Sequence, residues 1–312
     1  MTRPVLDLVL FTNVGVVSAS IATWKAAPPL KTEVDLGQGV TLGPVHEGVA
    51  DYVFDLCYPH ALKTKPVRGF RALYAFSRRD DADQSGLTWD REEYITTAMA
   101  MSRVAHPTSV GFEYSARLFL GDDETTIAEA VTGPIKHFGS MAFVTDNLNT
   151  WRNWLTDADA KLTRALMDAF YASQGSRPRR ITRAIWAHEN AQRTFQLDLR
   201  WPMIVTGLEA LINVDDSRST QQFRTRTVGL AERFGQSWSD DDARAAYRLR
   251  SKLTHGQRVG DTNAEHHALY MRMEAVLRSA VREALLDADF AAVFADDDTI
   301  RKEWALPRAE VV

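Results

Sequence analysis

Six apolar side chains, Trp201, Ile204, Val205, Leu208, Leu211 and Ile212, recur at i, i+3, i+4, i+7, i+10 and i+11. On a helix that spacing makes one apolar stripe, which must be buried against other elements. From about Thr150 onward helical periodicity dominates the chain. The first half is instead broken by turn signals: Lys25-Ala-Ala-Pro-Pro29, Leu36-Gly-Gln-Gly39, Gly43-Pro44 and residues 79–86. Between them, residues 5–11, 14–21, 40–42 and 111–120 read as strands, and 87–104 as a helix or two. The predicted fold class is α+β. A mixed α/β N-terminal region covers 1–150, an all-α bundle of about five helices covers 151–295, and a loosely attached C-terminal tail covers 296–312.

Helix ends in the second half are marked by their chemistry. Thr156-Asp157 starts a helix bearing Leu162, Leu166, Ala169 and Phe170. Residues 174–178 break the chain, and a helical pattern then runs from about 179 to 199. Pro202 lacks an amide for the helix ladder, so a kink or a fresh start is expected there. Residues 213–220 form a polar loop, and the helix that follows ends at Gly235. Ser239 caps the next helix, with Asp240, Asp241 and Asp242 in the first turn, where the dipole favours them. That helix ends near His255, with Gly256 as a left-handed C-cap. A last helix spans 264–289.

The chain has 312 residues and a formal net charge of −4, which does not announce a nucleic-acid binder. The charge is uneven: residues 1–150 carry 13 basic and 18 acidic side chains, whereas residues 151–295 carry 21 and 18. The basic residues of the second half are mostly arginine, among them Arg177, Arg179, Arg180, Arg183, Arg193, Arg200, Arg218, Arg224, Arg226 and Arg233. Arginine suits phosphate better than lysine does, although for most of these ten the plain reading is a solvated helical surface with internal ion pairs. A single cysteine, Cys57, excludes an intrachain disulfide and fits a reducing cytoplasm; it reads as a small buried apolar residue. No stretch is long and apolar enough to span a membrane. Residues 5–21 are interrupted by Asp7 and Asn13, which argues against a signal peptide.

Chemistry concentrates in Tyr247-Arg248-Leu249-Arg250-Ser251-Lys252-Leu253-Thr254-His255-Gly256. Arginine can hold phosphate through paired hydrogen bonds, and histidine can move protons near neutral pH. On one helix Ser251 and His255 share a face, and Arg248 returns to within about 20° of His255. Arg248, Ser251, Lys252 and His255 therefore form one polar stripe. Arg250 sits about 140° from His255 and reaches the same site only through its long side chain or by unwinding at Thr254. Upstream, Glu209 interrupts an apolar helix. It reads as a carboxylate satisfied by an internal arginine, which it would orient; direct proton transfer is the alternative. The plain reading of the whole stretch is an ordinary helix end, with cations near the last carbonyls and glycine after them.

Arg250-Ser251-Lys252-Leu253-Thr254-His255-Gly256 resembles the signature of HEPN domains, and of their Apea-like branch in particular. Thr206-Gly207-Leu208-Glu209-Ala210-Leu211-Ile212 resembles that branch's apolar helix with its Leu-Glu pair. The resemblance covers roughly 180–290 and does not reach the first half. It implies a HEPN-like helical bundle acting as a metal-independent endoribonuclease at a composite homodimer site, in phage defence or as a toxin. Arg250 and His255 would be catalytic; Arg248, Ser251, Lys252 and Glu209 would support them. The family wording selects Arg250 as the motif arginine, whereas helix geometry selects Arg248 as the neighbour of His255. Two features depart from the family: Ser251 follows the motif arginine where asparagine, aspartate or histidine is common, and Gln257 stands where some toxins carry a modified tyrosine.

No cofactor and no metal are expected. Neither a Gly-x4-Gly-Lys loop nor a Gly-x-Gly-x-x-Gly run is present. His266-His267 are neighbours that face apart on a helix. The acidic runs Asp80-Asp81-Ala82-Asp83 and Asp296-Asp297-Asp298 read as solvated turns. The implied partners are RNA, a second copy of the chain, and a regulatory partner acting through residues 1–150; no membrane is implied, and the cytoplasm is the expected location. Two other functions stay open: a bundle that binds RNA or a nucleotide without cutting, and a dimerising scaffold.

Overall fold

The structure is a computed structural model that describes residues 4–12, 30–44, 73–81, 89–107, 111–120, 127–130, 136–140, 155–194, 196–214, 218–256 and 264–306. Cys57, Asp83, Gln257 and the strand expected over 14–21 lie outside the described residues. The chain divides into two compact units, Met1–Asp168 and Ala169–Val312.

The first unit is built on an antiparallel sheet. Strand β1 (Pro4–Thr12) lies between β4 (Leu73–Asp81) and β5 (Gly111–Leu120). Strands β2 (Val34–Gly37) and β3 (Val40–Pro44) extend the sheet beyond β4. On the other side, β6 (Ile127–Ala130) and β7 (Lys136–Ser140) both pair with β5, one near each end of it. The β2–β3 turn passes through Gln38 and Gly39 with φ of 51° and 73°. Two successive positive φ values match the strand twist, and glycine adopts one at no steric cost. The strands read over 5–11, 40–42 and 111–120 are present. Asp80 and Asp81 do not form a solvated turn: the β1 ladder takes both, pairing Val5 with Asp80 and Pro4 with Asp81.

Helix α1 (Trp89–Ala105) is buried nearly all round from Tyr94 to Ala105, as expected of a helix inside a core. Helix α2 (Asp157–Ala172) is tied at its start to residues 30–35. Asp157 Oδ1 accepts the amides of Lys31 and Thr32 at 2.9 and 3.1 Å, and Arg164 Nη1 donates to the Asp35 carbonyl at 2.9 Å. The Lys31 amide does most to hold the Asp157 carboxyl below its ordinary value. Residues 157–168, which periodicity alone assigned to the bundle, thus belong with the strand-bearing unit.

Every described element that begins in the second unit is helical: α3 (Arg179–Arg193), α4 (Leu197–Ile212), α5 (Ser219–Arg233), α6 (Asp240–Thr254), α7 (Ala264–Leu286), α8 (Ala288–Ala292) and α9 (Asp297–Glu303). The chain as a whole is therefore α+β. Helix α4 is central, and the six residues of its apolar stripe are all buried to 1% exposure or less. Trp201 Nε1 donates to the Ala246 carbonyl at 3.0 Å and stitches α4 to α6. The break before α4 falls at Thr194–Gln196, earlier than Pro202 suggests, and Pro202 sits inside α4. So near the helix start, proline forgoes one ladder bond, to Asp198, and the helix continues.

Polar groups also enter this core. His188 Nε2 lies 2.8 Å from Glu274 Oε1, and Arg278 Nε lies 3.1 Å from the same oxygen. Burial pushes the Glu274 carboxyl up, but Arg278 and His188 together outweigh it, and the carboxyl lies below its ordinary value.

The expectation of a loosely attached tail over 296–312 fails as far as Trp304. Asp296 caps α9 by accepting the Thr299 amide at 2.8 Å, and Asp297 pairs with Arg180. Ile300 and Trp304 are buried, and the Trp304 ring lies 5.9 Å from that of Phe294. Two apolar anchors, Ile300 inside the seven-residue helix α9 and Trp304 at its C-cap, make too short a pattern for periodicity to reveal. The acidic run 296–298 is thus a helix start rather than a solvated turn.

A depressed carboxyl pKa adds stability that is complete above the unfolded value and is lost as pH falls through the folded one. Glu274→Gln should therefore unfold at lower temperature than wild type at pH 7, and the gap should narrow below about pH 4.3. Thermal melts across pH 3–7 test this, and a gap independent of pH contradicts it.

Candidate functional site

The site forms around the last turn of α4. That turn needs donors for its final carbonyls, and arginines from two other helices supply them. Arg180 Nη1 donates to the carbonyls of Ala210 and Asn213 at 3.0 and 2.6 Å. Arg226, 2% exposed, donates from Nη1 to the Ile212 carbonyl at 2.6 Å and from Nε to the Trp304 carbonyl at 3.1 Å. These arginines are not members of a solvated face, and neither is the buried Arg200. Arg193, Arg224 and Arg233 do form internal pairs, with Glu189, Asp240 and Glu303.

Glu209 leaves the same turn toward α6. Its Oε2 lies 3.1 Å from Arg250 Nη2, with the two side chains 16% and 30% exposed. The Tyr247 hydroxyl neighbours Glu209, and the Arg250 guanidinium lies 5.7 Å from the centre of the Tyr247 ring. That ring packs at 5.2 Å on Phe223 of α5. Burial raises the Glu209 carboxyl above its ordinary value, while Arg250 and Tyr247 pull it back in part. Burial, helped by the Glu209 charge, raises the Tyr247 hydroxyl as well. The internal arginine expected to satisfy Glu209 is Arg250. Tyr247 was overlooked as a member of this cluster; its signal was the i, i+3 spacing to Arg250, which puts both on one side of α6.

Helix α6 begins with a capping box: the Asp242 amide donates to Ser239 Oγ at 3.1 Å, and the Ser239 amide to Asp242 Oδ2 at 3.0 Å. It ends with His255 as C-cap and Gly256 at φ 66°. Thr254 Oγ1 donates to the Arg250 carbonyl at 2.9 Å, so the last turn stays closed. Arg248, Lys252 and His255 are exposed and Ser251 is half-buried. Among the described residues, the side chains of Arg248, Lys252 and His255 have no hydrogen-bond or ion-pair partner. Arg248, Ser251, Lys252 and His255 thus share the outer face of α6, whereas Arg250 turns inward to α4. No hydrogen bond or ion pair joins Arg250 to His255 in the single chain.

Glu209 also borders a cleft of about 580 Å³, lined by Arg179, Arg180 and Arg183 of α3, Asn213 at the end of α4, and Ser219 of α5. Arg179 and Arg183 are exposed. Among the described residues no group of three His, Cys, Asp or Glu side chains is placed to hold a metal ion, and no helix is long and apolar enough to cross a membrane. Comparison with known proteins adds no relative: no protein-family model, no curated protein and no solved structure matches the chain.

Arg250→Ala would strand the Glu209 carboxylate in a half-buried site and raise its pKa further. A raised carboxyl pKa contributes stability that is present below the unfolded value and lost as pH rises through the folded one. The variant should therefore lose about 1–2 kcal/mol at pH 7.5 and much less near pH 4. Adding Glu209→Gln should recover most of that loss. Urea unfolding at both pH values checks this; an equal loss at both, or no recovery, contradicts it.

Proposed function

We propose that Ala169–Val312 is an RNA-cleaving, HEPN-like bundle that works without a metal ion as a homodimer. The observation that carries this reading is the end of α6. There an arginine clamped by a carboxylate, Arg250 on Glu209, lies next to an exposed and unpartnered row of Arg248, Lys252 and His255. The family resemblance of the same residues supports it.

In the reaction, a ribose 2′-hydroxyl attacks the adjacent phosphorus and the bond to O5′ breaks. The products carry a 2′,3′-cyclic phosphate and a 5′-hydroxyl. One group must take the 2′-hydroxyl proton and another must protonate O5′. A single imidazole cannot do both at once, but two His255 side chains across a twofold axis can. Arg250 supplies positive charge to the crowded phosphorane, and Glu209 fixes its direction before substrate arrives. Since Arg250 and His255 face apart on one helix, Arg250 of one copy acts with His255 of the other. Arg248 and Lys252 follow the RNA backbone, with Ser251 between them. Phage defence or growth arrest by a toxin is the setting that suits such an activity.

A second reading, a bundle that holds RNA without cutting it, is favoured by one observation: Arg250 is engaged by Glu209 and does not touch His255 in a single chain. Total RNA incubated with the purified protein in EDTA separates the two. The nuclease reading predicts cyclic-phosphate and 5′-hydroxyl ends, with a rate per protomer that rises as protein concentration drives dimerisation. His255→Ala and Arg250→Ala should each cut at least about 100-fold more slowly. Intact RNA after incubation with folded, dimeric wild type supports the binding reading instead.

A further inference from the structure

The arginine cleft on the α3 side of Glu209 is not used by the cleavage chemistry, yet its charge is arranged for an anion. Arg180 is spent on the α4 carbonyls and Asp297. The negative end of α4 at the cleft is thereby neutralised. Glu209, which borders the cleft, is paired with Arg250. Arg179 and Arg183, one turn apart on α3, remain exposed and without a partner among the described residues. Helix α3 begins at this cleft after Pro178, which supplies no side-chain cap. Its amide end adds positive potential to that of the two guanidiniums. A volume of about 580 Å³ exceeds what a lone phosphate fills and lies within the range of small-molecule sites.

We propose that this cleft binds a phosphomonoester of about mononucleotide size, with Arg179 and Arg183 holding the phosphate. The ligand is either a free nucleotide or the 5′-phosphorylated end of an RNA; the recognised group is the same. This inference does not rest on RNA cleavage.

Calorimetric titration of the full chain with AMP and with adenosine tests it. AMP should bind at least about tenfold more tightly than adenosine, because the phosphate forms charge-assisted bonds to two arginines. Arg179→Ala/Arg183→Ala should lose at least the same factor while melting like wild type, both side chains being exposed. Arg183→Glu provides a second, single-site variant with the same expected loss. Lys302→Ala, an exposed cation removed elsewhere on the bundle, should bind AMP as wild type does. Equal binding of AMP and adenosine, absence of AMP binding at millimolar concentration, or undiminished binding by the α3 variants would overturn the proposal. In a His255→Ala background, where cleavage cannot interfere, a 5′-phosphorylated tetranucleotide that binds more tightly than AMP and than its 5′-hydroxyl counterpart identifies an RNA end as the source. If it binds no better than AMP, the source is the free nucleotide.

Discussion

The last turn of α4 is where the bundle's constraints meet. Its apolar face is fully buried, so its final carbonyls lie in a core where water cannot serve all of them. Guanidinium groups do so instead: Arg180 from α3 and Arg226 from α5 take the carbonyls of Ala210, Ile212 and Asn213. A third arginine, Arg250 from α6, takes the Glu209 carboxylate of the same turn. Burying cations is costly, and here the cost is offset by the negative end of a helix and by two carboxylates, Glu209 and Asp297. The same arginines hold the C-terminal segment, since Arg180 pairs with Asp297 and Arg226 donates to the Trp304 carbonyl.

This arrangement divides the basic surface in two. Arg250 is pulled inward and given a fixed direction, which leaves Arg248, Lys252 and His255 on the outer face of α6. On the other side of Glu209, Arg179 and Arg183 face a separate cleft. Glu209 borders both regions and keeps Arg250 from joining either row of free cations. In the proposed reaction, the positioned cation would act with a histidine and with phosphate-binding groups, and the divergence of Arg250 and His255 on one helix is the reason that proposal calls on a second chain.

Local patterns were legible in the sequence. The α4 stripe, the Ser239 cap, the glycine that ends α6 and the strands at 5–11 and 111–120 all depend on neighbours within a few residues. Helical arithmetic also separated Arg250 from the face of Arg248 and His255. What escaped depends on distant contacts. Glu209 and Arg250 are 41 residues apart, and spacing alone names no partner at that range. Arg180 and Arg226 resemble surface arginines until the carbonyls they serve are in place. Residues 157–168 have a helical pattern whichever unit they join, and the Lys31 and Thr32 amides decide it. Trp304 anchors the tail through one ring and one carbonyl, which leaves no periodic trace.

The central claim is that Arg250, held by Glu209, contacts an RNA phosphate. Its most direct test is the salt dependence of RNA affinity, measured in a His255→Ala background with and without Arg250→Ala. Each phosphate contact on single-stranded RNA contributes about 0.7 to the slope of log affinity against log salt. Loss of Arg250 is predicted to weaken binding and to shrink the slope by about that amount. An unchanged slope would mean that Arg250 meets no phosphate and serves only to join α6 to α4.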